Sequence, residues 1–145
     1  MRVELPVAPV DTIIRRNAGD LRVSAEAADE LARRIQSRGA TLAVEAAARA
    51  TEEGRKTLMA SDFPGAEDRG IEELELPIAP VDRIARLEID DRYLVSEGAR
   101  EALAAVLEAY ADRVAGAAAI LAGHAARRTV TGEDVNAYYT LAPYF

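Results

Sequence analysis

Several residue types are absent or nearly absent from this chain of 145 residues. It has no cysteine and no tryptophan, and lysine and histidine each occur once, as Lys56 and His124. Without cysteine, disulfides and thiolate metal sites are excluded. The single histidine has no second histidine or cysteine with which to hold a metal ion. We therefore expect no metal and no cofactor.

Aromatic residues make up only 5% of the chain, whereas 50% of its residues are hydrophobic. The core must therefore consist of alanine, leucine, valine and isoleucine, a composition that favours closely packed helices. The longest apolar run, residues 114–122, is too short to span a bilayer. The opening residues MRVELP lack the apolar core of a signal peptide, so we expect a cytoplasmic protein without a membrane partner.

The sequence also lacks the motifs of common enzymes. We find no nucleophile paired with a base, no glycine-rich phosphate loop and no cluster of metal ligands. We therefore expect neither catalysis nor a small-molecule substrate.

The net charge of −7 is unevenly distributed. Residues 1–70 carry 11 basic and 12 acidic side chains, whereas residues 71–145 carry 7 basic and 13 acidic ones. Every basic residue except Lys56 is an arginine. An acidic surface with almost no lysine is typical of a protein from a salt-rich cytoplasm. A GC-rich genome, which favours arginine, alanine and aspartate codons, produces the same composition, and the sequence does not separate the two.

The chain contains the same pattern twice. Residues 4–14 read ELPVAPVDTII and residues 75–85 read ELPIAPVDRIA; GRKTLMASDF at 54–63 is matched by ARRTVTGEDV at 126–135. The period of about 70 residues is too long for a solenoid repeat and indicates two copies of one small unit. A unit of this size buries little apolar surface alone, and a fused copy supplies a permanent partner. We predict a first copy at 1–66, a linker at 67–74 and a second copy at 75–145.

Each copy predicts a short helix, a long helix and a short helix. Pro9 and Pro80 lie at the start of first helices of about three turns. Ser24 and Ser96 are typical N-caps of long helices that reach about residues 53 and 125. In the second copy a motif like a capping box, TGED, opens a last helix at 131–141. In the first copy Pro64 predicts a short or irregular third helix.

These motifs resemble the archaeal histones, and the duplication resembles the fused histone doublet, with an acidity like that of the haloarchaeal branch. The resemblance is carried by ELPVAPVDTIIRR, the loop RVS at 22–24 and GRKT followed by Asp62, and by ELPIAPVDRIAR and RRT followed by Asp134. It implies an all-α protein of two tandem histone folds, with the long helices crossed in a handshake pseudodimer. It also implies that double-stranded DNA is the ligand and that the protein is associated with the chromosome.

The resemblance implies three kinds of DNA contact. The starts of the first helices point at a phosphate, and the family's arginine there is replaced by Thr12 in the first copy and kept as Arg83 in the second. Arg22 matches the loop arginine; Leu94 is aligned with it, so Arg92 is the nearest substitute. The second loops supply a basic residue and a threonine. The expected DNA-binding residues are therefore Thr12, Arg15, Arg16, Arg22, Lys56, Thr57, Arg83, Arg86, Arg92, Arg128 and Thr129.

The resemblance also implies two structural ion pairs and a contact between doublets. The ion pairs join Arg55 to Asp62 and Arg127 to Asp134. The contact uses Leu121, His124 and Asp134 at the end of the second copy; the first copy has Arg49 and Glu52 in place of the leucine and histidine. We therefore expect doublets to associate through the second copy only, giving closed pairs. The alternative is a solvated histidine with no role.

Two functions remain open at this point. The first is a histone that bends or compacts DNA or modulates transcription through phosphate and minor-groove contacts without reading a base sequence. The second is a histone-fold interaction module with weakened DNA binding that works through a protein partner. The basic loop residues favour the first, whereas Thr12, Leu94 and the acidic second half favour the second.

Overall fold

The computed structural model describes residues 2–66 and 71–145. The first copy contains α1 (Val7–Ala18), β1 (Arg22–Val23), α2 (Ala25–Glu52), β2 (Thr57–Leu58) and a 3-10 turn at Ala60–Asp62, and a further 3-10 turn, Ile71–Glu73, precedes the second copy. The second contains α3 (Ile78–Ala85), β3 (Leu94–Val95), α4 (Glu97–His124), β4 (Thr129–Val130), α5 (Gly132–Leu141) and a 3-10 turn at Ala142–Tyr144. Within these residues the architecture is helical, as predicted.

Local sequence signals set the helix starts. The hydroxyls of Ser24 and Ser96 accept the backbone N–H groups of Ala27 and Ala99 at 3.1 and 3.0 Å, so both predicted N-caps are confirmed. At the start of α5, the N–H group of residue 131 donates to the carboxylate of Asp134 at 2.8 Å, as in the predicted capping box. One prediction was too long: α3 has only 8 residues and ends at Ala85, little more than two turns.

The two copies interlock. Helix α1 of the first copy packs on α4 of the second, α3 packs on both α2 and α4, and α5 packs on α4 and α2. The buried face is continuous across both copies and consists of leucine, isoleucine, valine and alanine. The predicted handshake of two tandem folds is therefore confirmed, and neither copy has a separate core.

The two copies approach each other closely at Gly39 on α2. A Cβ atom at this position would stand 2.7 Å from Cγ2 of Ile84 and 3.0 Å from Cδ1 of Leu107. Glycine therefore lets the backbone of α2 approach both α3 and α4. The aligned residue of the second copy, Ala111, is also small and fully buried.

Each long helix carries one buried polar side chain, and the two lie at aligned positions. Gln36 accepts a backbone N–H and donates to a backbone carbonyl of segment 2–4, both at 2.7 Å. The carboxylate of Glu108 accepts two backbone N–H groups of segment 75–76, at 2.7 and 2.9 Å. These bonds fasten the segment that leads into α1 or α3 to the long helix of the same copy. They also satisfy polar groups that are buried in an apolar core.

The third helix of the first copy is reduced, as Pro64 predicts. It is a single 3-10 turn, Ala60–Asp62, followed by the buried Phe63. The predicted linker, residues 67–74, includes 67–70, which lie outside the described residues. The turn at Ile71–Glu73 leads from there into the second copy.

The close contact at Gly39 leads to a stability prediction. Gly39→Ala should lower the free energy of unfolding by about 1–3 kcal/mol, because the added methyl group overpacks the crossing. Gly123→Ala is the matched control, since no atom lies within 4 Å of a Cβ there. That control should raise stability by about 0.5–1 kcal/mol, as alanine does in a helix. Urea unfolding followed by circular dichroism measures both; a Gly39→Ala protein as stable as the control would contradict the assignment.

Candidate nucleic-acid interface

Two kinds of feature are absent from the described residues. In the segments 2–66 and 71–145, no helix is both long and apolar enough to cross a membrane. The same part of the chain contains no group of three or more histidine, aspartate and glutamate side chains placed to hold a metal ion. The candidate site is formed by basic and polar residues of the loops.

Loop pair 1, residues 19–24 with 125–131, joins the first loop of the first copy to the second loop of the second copy. Arg22 pairs in parallel with Thr129, and Val23 with Val130. The N–H group of Arg22 donates to the carbonyl of Arg128 at 2.9 Å. Both arginine side chains are exposed, and neither forms an ion pair with another described residue. Loop pair 1 thus contains two exposed guanidinium groups and a threonine on adjacent segments of the two copies.

Loop pair 2, residues 53–59 with 90–96, is the counterpart from the other two loops. Leu94 pairs in parallel with Thr57, and its N–H group donates to the carbonyl of Lys56 at 2.9 Å. The register is the same as in loop pair 1, so Leu94 occupies the position of Arg22. The Lys56 side chain is exposed. Leu94 is 61% exposed, whereas Val95, the next residue of the strand, is buried.

Arg92 and Tyr93 stand beside Leu94. The Arg92 guanidinium lies 5.3 Å from the centre of the Tyr93 ring, a cation–π distance. The Tyr93 hydroxyl lies 2.5 Å from that of Thr51 at the end of α2. Hydrogen bonds with Thr51 and Arg92 lower the pKa of Tyr93. Arg92 is thus positioned at loop pair 2, two residues away from the register position of Arg22.

The starts of α1 and α3 form the third candidate element. Their N-cap residues are prolines without a side-chain cap. The Thr12 hydroxyl donates to the carbonyl of Ala8 at 3.1 Å. The Nε of Arg83 lies 3.0 Å from a carboxylate oxygen of Glu4, in the other copy. A phosphate bound between these helices would therefore meet Arg83 together with Glu4.

Three other predicted arginines also have carboxylate partners. Arg15 and Arg86 form equivalent pairs with the aspartates four residues earlier, at 2.5 and 3.1 Å, and stay largely exposed. Arg16 differs, because it bridges the copies. It contacts the carboxylates of Asp112 at 2.8 Å and Glu108 at 3.0 Å, and these partners, Asp112 above all, raise its pKa. The structure thus places Arg16 in a network between α1 and α4.

Both expected loop-to-helix ion pairs form. Arg55 Nη1 lies 2.9 Å from Oδ2 of Asp62, and Arg127 Nη1 lies 2.7 Å from Oδ2 of Asp134. The Arg55 guanidinium lowers the pKa of Asp62. Burial raises the pKa of Asp134, but hydrogen bonds from Arg127 and residue 131 outweigh this effect and lower it overall. Both aspartates are almost fully buried, so each pair fastens a second loop to the turn or helix that follows it.

An apolar groove of about 430 Å³ lies at the end of the second copy. It is lined by Leu121, Ile120 and other side chains from the ends of α4 and α5. The Ile120 side chain is 73% exposed. His124 is exposed on the last turn of α4. Asp134, the third expected contact residue, is buried and bound to Arg127, so its carboxylate faces inward.

Sequence reasoning missed three features. The first feature is the two buried polar side chains, Gln36 and Glu108. Each interrupts the apolar stripe of its long helix at the same aligned position, and this repetition is the signal in the sequence. Tyr93 adjoins Arg92 but matches no motif. A cluster between α2, α4 and α5, in which Arg34 lies 4.1 Å from the Tyr139 ring and Tyr139 contacts Tyr110, has no local signal because its members come from distant segments.

Comparisons with known proteins agree with this geometry. The sequence model of the family described as "Histone-like transcription factor (CBF/NF-Y) and archaeal histone" matches residues 3–66 and 74–137. An archaeal histone of Thermococcus zilligii, a subunit of HAN1, is 52% identical over 61 residues, 42% of this chain and 88% of that protein. The crystal structure of the histone from Methanopyrus kandleri has a TM-score of 0.69 and 27% identity over 90% of each chain. A Thermus thermophilus protein, 18% identical over 98% of this chain and 99% of its own, has a TM-score of 0.72 and is similar in fold.

The buried ion pair leads to a second prediction. Asp134→Ala should lower the free energy of unfolding by roughly 3 kcal/mol, at the low end for a buried pair broken from one side, because Arg127 stays partly solvated. Glu133→Ala is the control, since Glu133 lies in the same first turn but is exposed. Thermal and urea unfolding at neutral pH measure the difference, and equal stabilities would contradict the structural role.

The same comparison has a defined pH dependence. Because the folded-state pKa of Asp134 is lowered, its stabilisation is present above the ordinary carboxyl pKa of about 4 and is lost as the pH falls through the folded value. The stability difference between the native protein and Asp134→Ala should therefore shrink below about pH 4. A difference that stayed constant down to about pH 2 would show that the carboxylate charge is not its cause.

Proposed function

Because this chain belongs to the family of histone-like transcription factors and archaeal histones, we propose that it is a histone that binds double-stranded DNA. The predicted resemblance to an archaeal histone doublet is confirmed by the double match of the family model. The family is a structural, DNA-binding one and not a family of enzymes. The observation that carries the proposal is the presence of two cross-copy loop pairs in the same register, each with exposed basic side chains and a threonine.

The contacts we propose are local and directional. Arg22, Arg128 and Lys56 bind phosphates or enter the minor groove, and Thr57 and Thr129 donate hydroxyl hydrogen bonds to phosphates. The uncapped starts of α1 and α3 offer backbone N–H groups to a central phosphate, beside Thr12 and Arg83. Arg15, Arg86 and Arg92 lie at the edge of this surface. Such contacts position DNA without reading bases, so sequence dependence should follow DNA bendability.

Arg16 is reassigned in this proposal. Its guanidinium is bound by Asp112 and Glu108, and a phosphate would have to compete with two carboxylates at contact distance. We assign it to the contact between the copies and not to DNA. Bending, compaction, modulation of transcription and association with the chromosome are the consequences we propose for DNA held along both loop pairs.

A protein-interaction module is the second candidate. It is favoured by the acidic second half and by Glu4, whose carboxylate lies beside Arg83 where a central phosphate would bind. Non-specific DNA binding normally depends on the release of counterions and weakens steeply with salt. A chain with a net charge of −7 gains little from long-range attraction. The measured salt dependence therefore separates the two candidates.

We further propose that two doublets associate through the end of the second copy. There the apolar groove, Leu121 and Ile120 form one exposed apolar surface, with His124 at its edge. The first copy has no counterpart among its described residues. Arg49 takes the position of Leu121 and donates to the carbonyl of residue 62 at 2.9 Å, and Glu52 takes the position of His124. With one such surface per chain, association gives a closed pair.

DNA binding is tested with a duplex of about 60 base pairs in salt from about 0.1 to 3 M. The native chain should bind at micromolar concentration or tighter and retain binding in molar salt. Arg22→Ala/Lys56→Ala should bind much more weakly, and the slope of log affinity against log salt should fall by about 2, near 0.9 for each phosphate that is no longer neutralised. Arg33→Ala/Arg113→Ala removes equal charge from exposed positions on α2 and α4, away from both loop pairs, and is the control.

Fluorescence anisotropy measures all three proteins. Binding that vanishes above a few tenths molar salt, or that both double variants weaken equally, would remove the DNA assignment. It would favour the interaction module instead.

Self-association is tested by sedimentation equilibrium of the native chain. We expect a monomer–dimer equilibrium with no larger species, and Leu121→Arg should be monomeric because it places a charge in the apolar surface. Val44→Arg, at an exposed apolar position of the first copy, should leave the equilibrium unchanged. Species larger than dimers, or a Leu121→Arg protein that still dimerises, would contradict the proposal.

A further inference from the structure

Leu94 is an exposed apolar residue in loop pair 2, at one end of the proposed DNA surface. Its backbone is fixed by the bond to the Lys56 carbonyl and by the parallel pairing with Thr57. Its side chain is 61% exposed, although the neighbouring Val95 is buried. A leucine fixed in a strand and presented to solvent loses little conformational freedom when a ligand covers it. Leu94 is therefore prepared for an apolar contact.

The charges around the two loop pairs differ. Residues 19–24 and 125–131 of loop pair 1 contain Asp20 and three arginines, a net charge of +2. Residues 53–59 and 90–96 of loop pair 2 contain three basic and three acidic side chains, a net charge of zero. Each loop pair has one arginine bound by an aspartate, Arg127 by Asp134 and Arg55 by Asp62, and Arg55 also contacts Glu53. Loop pair 2 is thus the weaker end for ionic attraction.

We propose that Leu94 is an apolar minor-groove contact that replaces an arginine at loop pair 2. This inference rests on the proposed DNA binding. The register places Leu94 where Arg22 stands in loop pair 1, with Lys56 and Thr57 beside it to bind the flanking phosphates. Proteins that bind the minor groove often insert apolar side chains, leucine among them, between base steps. Because Lys56 and Thr57, which we propose to bind phosphates, lie beside Leu94, this leucine suits the minor groove better than an apolar protein surface.

The two ends of the bound DNA therefore respond differently to salt. At loop pair 1 the contacts of Arg22 and Arg128 release counterions and weaken as salt rises. At loop pair 2 burial of the Leu94 side chain releases no counterion, and excluded salts strengthen such burial. The apolar end holds DNA in concentrated salt, while the ionic end loosens first.

The test compares Leu94→Ala, Leu94→Arg and the native chain in the salt series on duplex DNA. Leu94→Ala should bind about tenfold more weakly, with the same slope of log affinity against log salt, since it removes apolar area and no charge. Leu94→Arg should bind more tightly at low salt with a slope steeper by about 0.9. Leu87→Ala, at another exposed leucine of the second copy, should bind like the native chain.

Circular dichroism checks that each variant is folded. We expect all of them to fold, because Leu94 and Leu87 are exposed. Leu94→Ala that binds DNA like the native chain, or that changes the salt slope, would overturn the apolar contact while leaving the histone function intact. A native chain that does not bind duplex DNA at any salt would overturn both proposals. Normal DNA binding by Leu94→Ala together with loss of a protein partner would assign the leucine to that partner.

Discussion

The parallel pairing of β1 with β4 and of β2 with β3 is the constraint on which the rest of this structure depends. Each pair takes one strand from each copy, so neither loop pair of the proposed DNA surface is complete within a single copy. The same holds in the core, where α1 lies on the long helix of the other copy. The stability of the fold and the geometry of the candidate site therefore both depend on the contact between the copies. Any change that separates the copies also separates the residues that would bind DNA.

Local features were predictable from the sequence and distant ones were not. Ser24 and Ser96 cap their helices because a cap needs only the residues that follow it. The family resemblance predicts Arg16 at the DNA surface. Its partners, Glu108 and Asp112, lie far along the chain and meet it only through the packing of α1 on α4, so no local pattern reveals this network. The exposure of Leu94 likewise depends on a register that forms between copies, which no local pattern specifies.

The acid surplus takes on a different meaning once the ion pairs are known. Arg15, Arg86, Arg83 and Arg16 each have a carboxylate partner within the described residues. Each such pair neutralises one arginine and one carboxylate and leaves the net charge of −7 unchanged, so these arginines offer less charge to a ligand. The exposed basic residues of the loop pairs, Arg22, Arg128 and Lys56, are few and lie at fixed positions. Such an arrangement suits close contact with a polyanion better than long-range attraction.

The network around Arg16 occurs once, although the fold has two related halves. At the aligned positions the other half has Leu87 instead of Arg16 and Gln36 instead of Glu108. If two second halves from different chains paired, each would bury a Glu108 carboxylate beside a leucine, without its cation. The pairing of two second halves is therefore disfavoured relative to the pairing of a first half with a second half. When several chains are synthesised close together, the network around Arg16 thus favours the correct partner for each second half.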